Sequence, residues 1–201
     1  MSRLDDAWEL TRQISPRPTV RAADSVSGSG EVLNTYSRVH PVAGAVPLVP
    51  WAVHLTDAQR RFRLVLVDFD AKNDPRTAAR DCAALTDLLT SLGIAYVECA
   101  SAGPAAGGRH VWIALAEATD ASEVRHLAHL FQRSFESFDP TPLLNPATGA
   151  GRPPGAPHRR GGFSRILQGE LDVLRHPTTT LLDLRALRTR LRARAGDLDG
   201  D

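Results

Sequence analysis

Residues Phe62 to Asp70 read Phe-Arg-Leu-Val-Leu-Val-Asp-Phe-Asp. An apolar, β-branched run of this density predicts a buried strand. Residues i and i+2 of a strand share a face, so Asp68 and Asp70 project together and Phe69 turns the other way. Two adjacent carboxylates repel, and burying them is costly unless something positive lies between them. A divalent ion meets that need: Mg²⁺ prefers carboxylate oxygens and brings substrate phosphates with it. The competing reading is turn chemistry, since Asp also starts turns and caps helices. Asp74-Pro75, just beyond, has the form of a helix start with Pro at the first helical position.

A strand of this kind needs cover, and the rest of the chain can supply it. The 201 residues suffice for one sizeable domain, and 42% hydrophobic with 23% charged residues is the globular range. No apolar run approaches a membrane span, and the acidic, amphipathic start Met1-Ser-Arg-Leu-Asp-Asp-Ala-Trp is not a secretory signal. Cys82 and Cys99 form neither a disulfide framework nor a zinc-ligand spacing, so reduced thiols in a bacterial-type cytoplasm are expected and zinc is not. The net charge of +1 announces no global basic field. Of the 24 basic residues only Lys72 is lysine; the arginine bias suits planar contact to phosphate and equally a GC-rich genome.

Leu4 to Ile14 is an amphipathic helix candidate, and Ser15 to Gly30 reads as loop or linker. Val42 to Leu55 is apolar and Pro-broken, with a short strand around Trp51 to Leu55. Pro75 to Leu92 carries Ala79, Cys82, Ala83, Leu85, Leu88 and Leu89 at helical period, and Gly93 stops it. Ile94 to Cys99 is a second strand, 101–108 a small-residue loop and Arg109 to Ala116 a third strand. Ser122 to Phe138 is a second helix and 139–162 an irregular Pro/Gly segment. Phe163 to Leu167 is a strand candidate and Thr180 to Ala195 a last helix. The order predicts an α+β fold with a split β-α-β arrangement on one sheet. The expected organisation is an N-terminal helix and flexible linker at 1–40, a catalytic domain at 41–178, and a C-terminal helix with an acidic tail at 179–201.

Three further features carry chemistry. Gly107-Gly108-Arg109-His110 opens the third strand: glycines allow close backbone approach, and Arg109, His110 and neighbouring N–H groups suit a phosphate chain. Phe138-Asp139-Pro140 offers a third carboxylate. The loop from Arg152 to Gly162, with His158, Arg159 and Arg160, is stiffened by proline and concentrated in positive charge, which suits more phosphate or a template. Arg185, Arg188 and Arg192 on the last helix read first as a solvated face, with template contact by Arg188 and Arg192 as the alternative.

The ordered motifs Val67-Asp68-Phe69-Asp70, Gly108-Arg109-His110 and Phe138-Asp139 resemble those of the archaeo-eukaryotic primase superfamily. The likeness is to the primase-polymerase (prim-pol) domains of bacterial plasmids, phages and integrative elements. The stretch from Asp139 through the arginine loop is similar to a replication-associated branch found in actinobacteria and their mobile elements. The resemblance spans about Trp51 to Leu167. It implies a core related to the RNA-recognition fold, with an N-terminal α/β extension and a C-terminal helix. It implies that Asp68, Asp70 and Asp139 hold two Mg²⁺ or Mn²⁺ ions and that His110 contacts the triphosphate of an incoming NTP or dNTP, assisted by Arg109 and Lys72. Many primases carry a zinc-binding element, which this chain cannot build from its two cysteines.

The expected activity is therefore a DNA-dependent primase or polymerase on a single-stranded template, making or extending primers with a helicase or replication initiator as partner. An end-joining or repair polymerase of the same superfamily is the second reading. A non-catalytic initiator module binding single-stranded DNA or nucleotide is the third. A metal-dependent nuclease would use the same carboxylates, but the Gly-Gly-Arg-His element and the arginine loop suit a triphosphate better.

Overall fold

The computed structural model describes residues 2–24, 36–71, 74–101, 107–158 and 161–198. The predicted acidic-ended strand is β4, Phe62–Phe69, and it is the spine of the molecule. It is buried along nearly its whole length rather than alternately, the mark of a strand covered on both faces. It lies in a five-stranded sheet with β5 (Val97–Ala100), β6 (Arg109–Thr119), β7 (Phe138–Asp139) and β9 (Arg165–Gln168), in the order β7-β4-β6-β5-β9. β6 is antiparallel to both β4 and β5. β4 and β5 therefore run parallel with β6 between them, joined by helix α2 (Pro75–Ser91). This is the expected split β-α-β, and the β4-α2-β5-β6-α3-β7 order with the α3 helix (Ala121–Ser134) completes an RNA-recognition-like core.

Register assigns the faces, because residues directly opposite in antiparallel strands share a side. Val67, Phe69, Val111 and Phe138 lie on the helix side, where the Phe69 and Phe135 rings meet edge to face at 5.7 Å. Leu66, Asp68, His110, Trp112 and Asp139 lie on the opposite side. That side is covered by a second, four-stranded sheet in the order β2-β1-β3-β8, made of β1 (Thr19–Ala22), β2 (Arg38–Pro41), β3 (Trp51–His54) and β8 (Ala150–Gly151). Gly151 lets the two sheets approach: a Cβ there would fall on Leu66 Cδ2 and lie 3.0 Å from the Trp112 ring.

Helix α1 (Arg3–Ile14) starts at a Ser2/Asp5 capping box and buries Trp8, whose ring meets Trp51 at 5.4 Å. Asp74 caps α2 by accepting from the Arg76 and Thr77 amides, with Pro75 in the first turn, and Gly93 (φ +67°) follows its end. Short helices α4 (Thr141–Leu144) and α5 (Asp172–Arg175) fill connections, and α6 (Leu181–Leu198) packs on α3.

Three expectations are corrected. The segment from Ser15, read as loop, contains β1, whose Val20 and Ala22 are buried while β2 and β3 pair on either side. The second helix stops at Ser134 rather than Phe138. Phe135 leaves helical geometry to pack on Phe69 and Phe131, and Phe138-Asp139 becomes a strand beside β4. The Pro/Gly segment at 139–162, read as irregular, supplies α4 and β8, because its glycines reach positions that side chains would block.

Candidate active site

A cavity of about 370 Å³ opens between the two sheets. The five-stranded sheet contributes Leu66, Asp68, His110 and Asp139, and the four-stranded sheet contributes Arg21, Ala52, Ala150 and Gly151. Thr141, Pro142, Asn145 and Thr148, with Arg152 and His158, close it from the connection that follows β7.

The floor is set by strand register. Asp68 stands directly opposite His110 on one side and Asp139 on the other, so three polar residues from distant parts of the chain line up across β7, β4 and β6. His110 Nε2 lies 3.3 Å from Asp68 Oδ1. The ring is 5% exposed, and its Nδ1 is buried with no hydrogen-bond partner among the described residues. An unmet buried polar atom of this kind carries a desolvation cost. Asp139 Oδ1 accepts from the Thr141 amide at 2.9 Å, which fixes the carboxylate at the start of α4.

The roof is cationic. Arg21 donates through Nε to the Tyr36 carbonyl at 2.6 Å and through Nη1 to the Thr148 carbonyl at 3.2 Å. Both acceptors are neutral, so these bonds hold the guanidinium in place without cancelling its charge. His54, buried on β3, registers that field. Burial first, then the charges of Arg17 and Arg21, lower its pKa to about 4.

The predicted residues divide. Asp68, Asp139, His110, Arg152 and His158 meet in the cavity. Asp70 lies one residue past the end of β4, where its amide donates to the Ser137 carbonyl at 2.8 Å, and it does not line the cavity. Arg109 shares the helix side with Phe69: its guanidinium sits 3.4 Å from Glu98 and bonds the Gly107 and Gly108 carbonyls. Gly108 is packed against Ser101, whose Oγ would lie 2.7 Å from an added Cβ. Arg188, with Arg185, grips Glu123 on α3 at 2.8 and 2.7 Å, across the five-stranded sheet from the cavity, and Arg192 is exposed on α6. Lys72, Arg159 and Arg160 lie outside the described residues. Arg21 and Tyr36 were missed; the only signal was one Arg between Val20 and Ala22, in a strand too short to announce itself.

By sequence the chain matches no family model and no curated protein. By structure it resembles the polymerase domain of Mycobacterium tuberculosis ligase D, solved in complex with DNA. The TM-score is 0.53 at 12% identity, over 94% of this chain and 88% of that one. It also resembles the AEP domain of the cyanophage S-2L primase-polymerase, with a TM-score of 0.56 at 14% identity, over 91% of this chain and 96% of that one. The chain has the prim-pol fold. The likeness is one of fold, and the chemistry is read from the cavity.

Within this prim-pol fold, no group of three or more His, Cys, Asp or Glu among the described residues forms a ready-made metal cage. What the floor presents is a carboxylate pair from adjacent strands, Asp68 and Asp139. Mg²⁺ is commonly bound by one or two carboxylates together with substrate phosphates, so this donor set fits a divalent ion that arrives with a polyphosphate. The thiols offer nothing comparable. Both are buried, and burial pushes Cys99 up to about 12 and Cys82 higher still.

Proposed function

We propose that the protein is a nucleotidyltransferase, a primase-polymerase that joins nucleoside triphosphates on a single-stranded DNA template. The observation that carries the reading is the shared lining of one cavity: Asp68, Asp139 and His110 aligned on one sheet, with Arg21, Arg152 and His158 around the same space. A polyphosphate needs positive charge along its length, and nucleotidyl transfer needs carboxylates at one end of it. The prim-pol fold supports the assignment, as both structural relatives are polymerase domains by name.

Each residue has a task on this reading. Asp68 and Asp139 hold Mg²⁺ or Mn²⁺, with Asp70 at the adjoining strand end as a third carboxylate. Bound there, the ion would neutralise phosphate charge and favour the ionised form of a primer 3′-hydroxyl. His110 donates to a phosphate oxygen, held in orientation by Asp68. Arg21, Arg152 and His158 bind the remaining phosphates, with charge-assisted hydrogen bonds that are stronger than neutral ones. The template and primer approach along the open mouth, and a helicase or initiator would supply unwound DNA in replication of a plasmid, phage or integrative element.

The test is nucleotide incorporation on single-stranded templates, with and without a primer, in Mg²⁺ and in Mn²⁺. We expect synthesis that disappears in Asp68→Ala and Asp139→Ala variants. Primer-free products identify a primase, and extension confined to primed templates identifies a polymerase of the repair type. Template binding without synthesis in either ion overturns the enzyme reading in favour of a DNA-binding module.

A further inference from the structure

Asp81 lies on α2, on the far side of the five-stranded sheet from the cavity, and is 4% exposed. One carboxylate oxygen accepts two hydrogen bonds from a single residue: the Ser137 amide at 2.9 Å and the Ser137 hydroxyl at 2.8 Å. The other accepts from Arg80 at 3.0 Å. Ser137 faces the opposite way with its carbonyl, which accepts the Asp70 amide at 2.8 Å. Two residues further on is Asp139.

Ser137 is thus a junction between the strand end that carries Asp70 and the strand that carries Asp139, and Asp81 is what holds it. β7 has two residues, and its ladder pairs only Asp68 with Asp139 and Phe69 with Phe138. So short a strand fixes its own register weakly. A buried carboxylate with two bonds to the residue just before it supplies the constraint the ladder lacks, since charge-assisted bonds are short and directional. Burying that carboxylate is itself unfavourable, and the helix packing does not require it: Ala78, Cys82 and Leu85 supply the buried apolar stripe of α2.

We infer that Asp81 is a positioning residue: by holding Ser137 it sets the placement of Asp139 against Asp68 and Asp70, and so the affinity of the carboxylate set for a divalent ion with its triphosphate. The inference rests on the function proposed above. Outer groups that orient metal ligands typically change metal affinity by about 10- to 100-fold.

The experiment measures binding of a fluorescent, non-hydrolysable nucleoside triphosphate by anisotropy, in Mn²⁺ and in EDTA. The ratio of the two Kd values is the gain due to metal. Asp81→Ala is expected to cut that gain by about tenfold, with the Kd in EDTA unchanged. Asp81→Asn keeps an acceptor oxygen for Ser137 and is expected to restore most of the gain. Leu89→Ala, a core truncation on the same helix, lowers stability and is expected to leave the gain as it is. Should Asp81→Ala not fold, Ser137→Ala deletes the hydroxyl bond alone and is expected to cost the gain about fivefold, the usual scale of one hydrogen bond. A wild-type gain in folded Asp81→Ala, or in Ser137→Ala where that variant is the one read, overturns the inference. A wild-type protein with no gain from metal overturns the proposed function itself.

Discussion

His54 lies on β3, two residues from the cavity-lining Ala52. Its folded pKa of about 4 lies below the ordinary 6.5 because burial, then Arg17 and Arg21, disfavour the imidazolium. Above pH 6.5 the ring is neutral in both folded and unfolded chains and contributes nothing. Between about 6.5 and 4 the unfolded chain takes up a proton that the folded one refuses, so stability falls as pH falls. The full loss is about 3 kcal/mol, reached near the lower value. Chemical denaturation of wild type and His54→Leu across pH 4 to 7 should show this step in the first and not in the second. Arg21 gives the matching prediction for binding. Arg21→Ala should weaken a nucleoside triphosphate by about 10- to 100-fold, since hydrogen bonds to charged groups are worth about 1.5–3 kcal/mol, with circular dichroism unchanged. Asp68 and His110 were legible in place because each ends or opens a recognisable strand, whereas Asp139 was read at the end of a helix. Arg109 adjoins His110 in the chain and so takes the other face of β6, against Glu98. Arg21 was hidden for the reason that β1 was: four residues leave too little alternation to read.

At the scale of elements, long periodic segments were legible and short ones were not. α2 agreed with its Asp74 cap and its Gly93 stop, and of its predicted stripe it buries Cys82, Leu85 and Leu89 while Ala83 is exposed and Ala78 takes its place in the core. The second helix did not end where its pattern did, because Phe131, Phe135 and Phe138 keep helical spacing past the point where the backbone departs. Phe135 leaves the helix to pack on Phe69, and beyond it Ser137 bonds Asp81, 56 residues away in the chain; no local window contains either contact. β8 was equally invisible. Its two residues are a strand because Gly151 lets β8 reach the Leu66 and Trp112 side chains. Gly151→Ala should therefore overpack the contact between the sheets, at a cost of about 1–3 kcal/mol. A lowered urea midpoint with an unchanged m-value would confirm it, and an unchanged midpoint would show that Leu66 and Trp112 yield freely.

Taken whole, the molecule is one RNA-recognition-like core whose open face carries a second sheet instead of solvent, with a continuous set of buried residues running from α1 through α6. That core order was readable from the alternation of strand and helix. The second sheet was not, since it is assembled from short pieces at residues 19–22, 38–41, 51–54 and 150–151. The placement of the cavity has a mechanical consequence. Its carboxylates belong to one sheet and Arg21 to the other, so a triphosphate that touches both acts as a tie-beam between two plates. Saturating nucleotide with Mn²⁺ should raise the melting temperature, by the equivalent of about 2.7 kcal/mol at a hundredfold excess over Kd. Amide exchange should slow together in β1 and β7, at opposite ends of the span, while α6 exchanges as before.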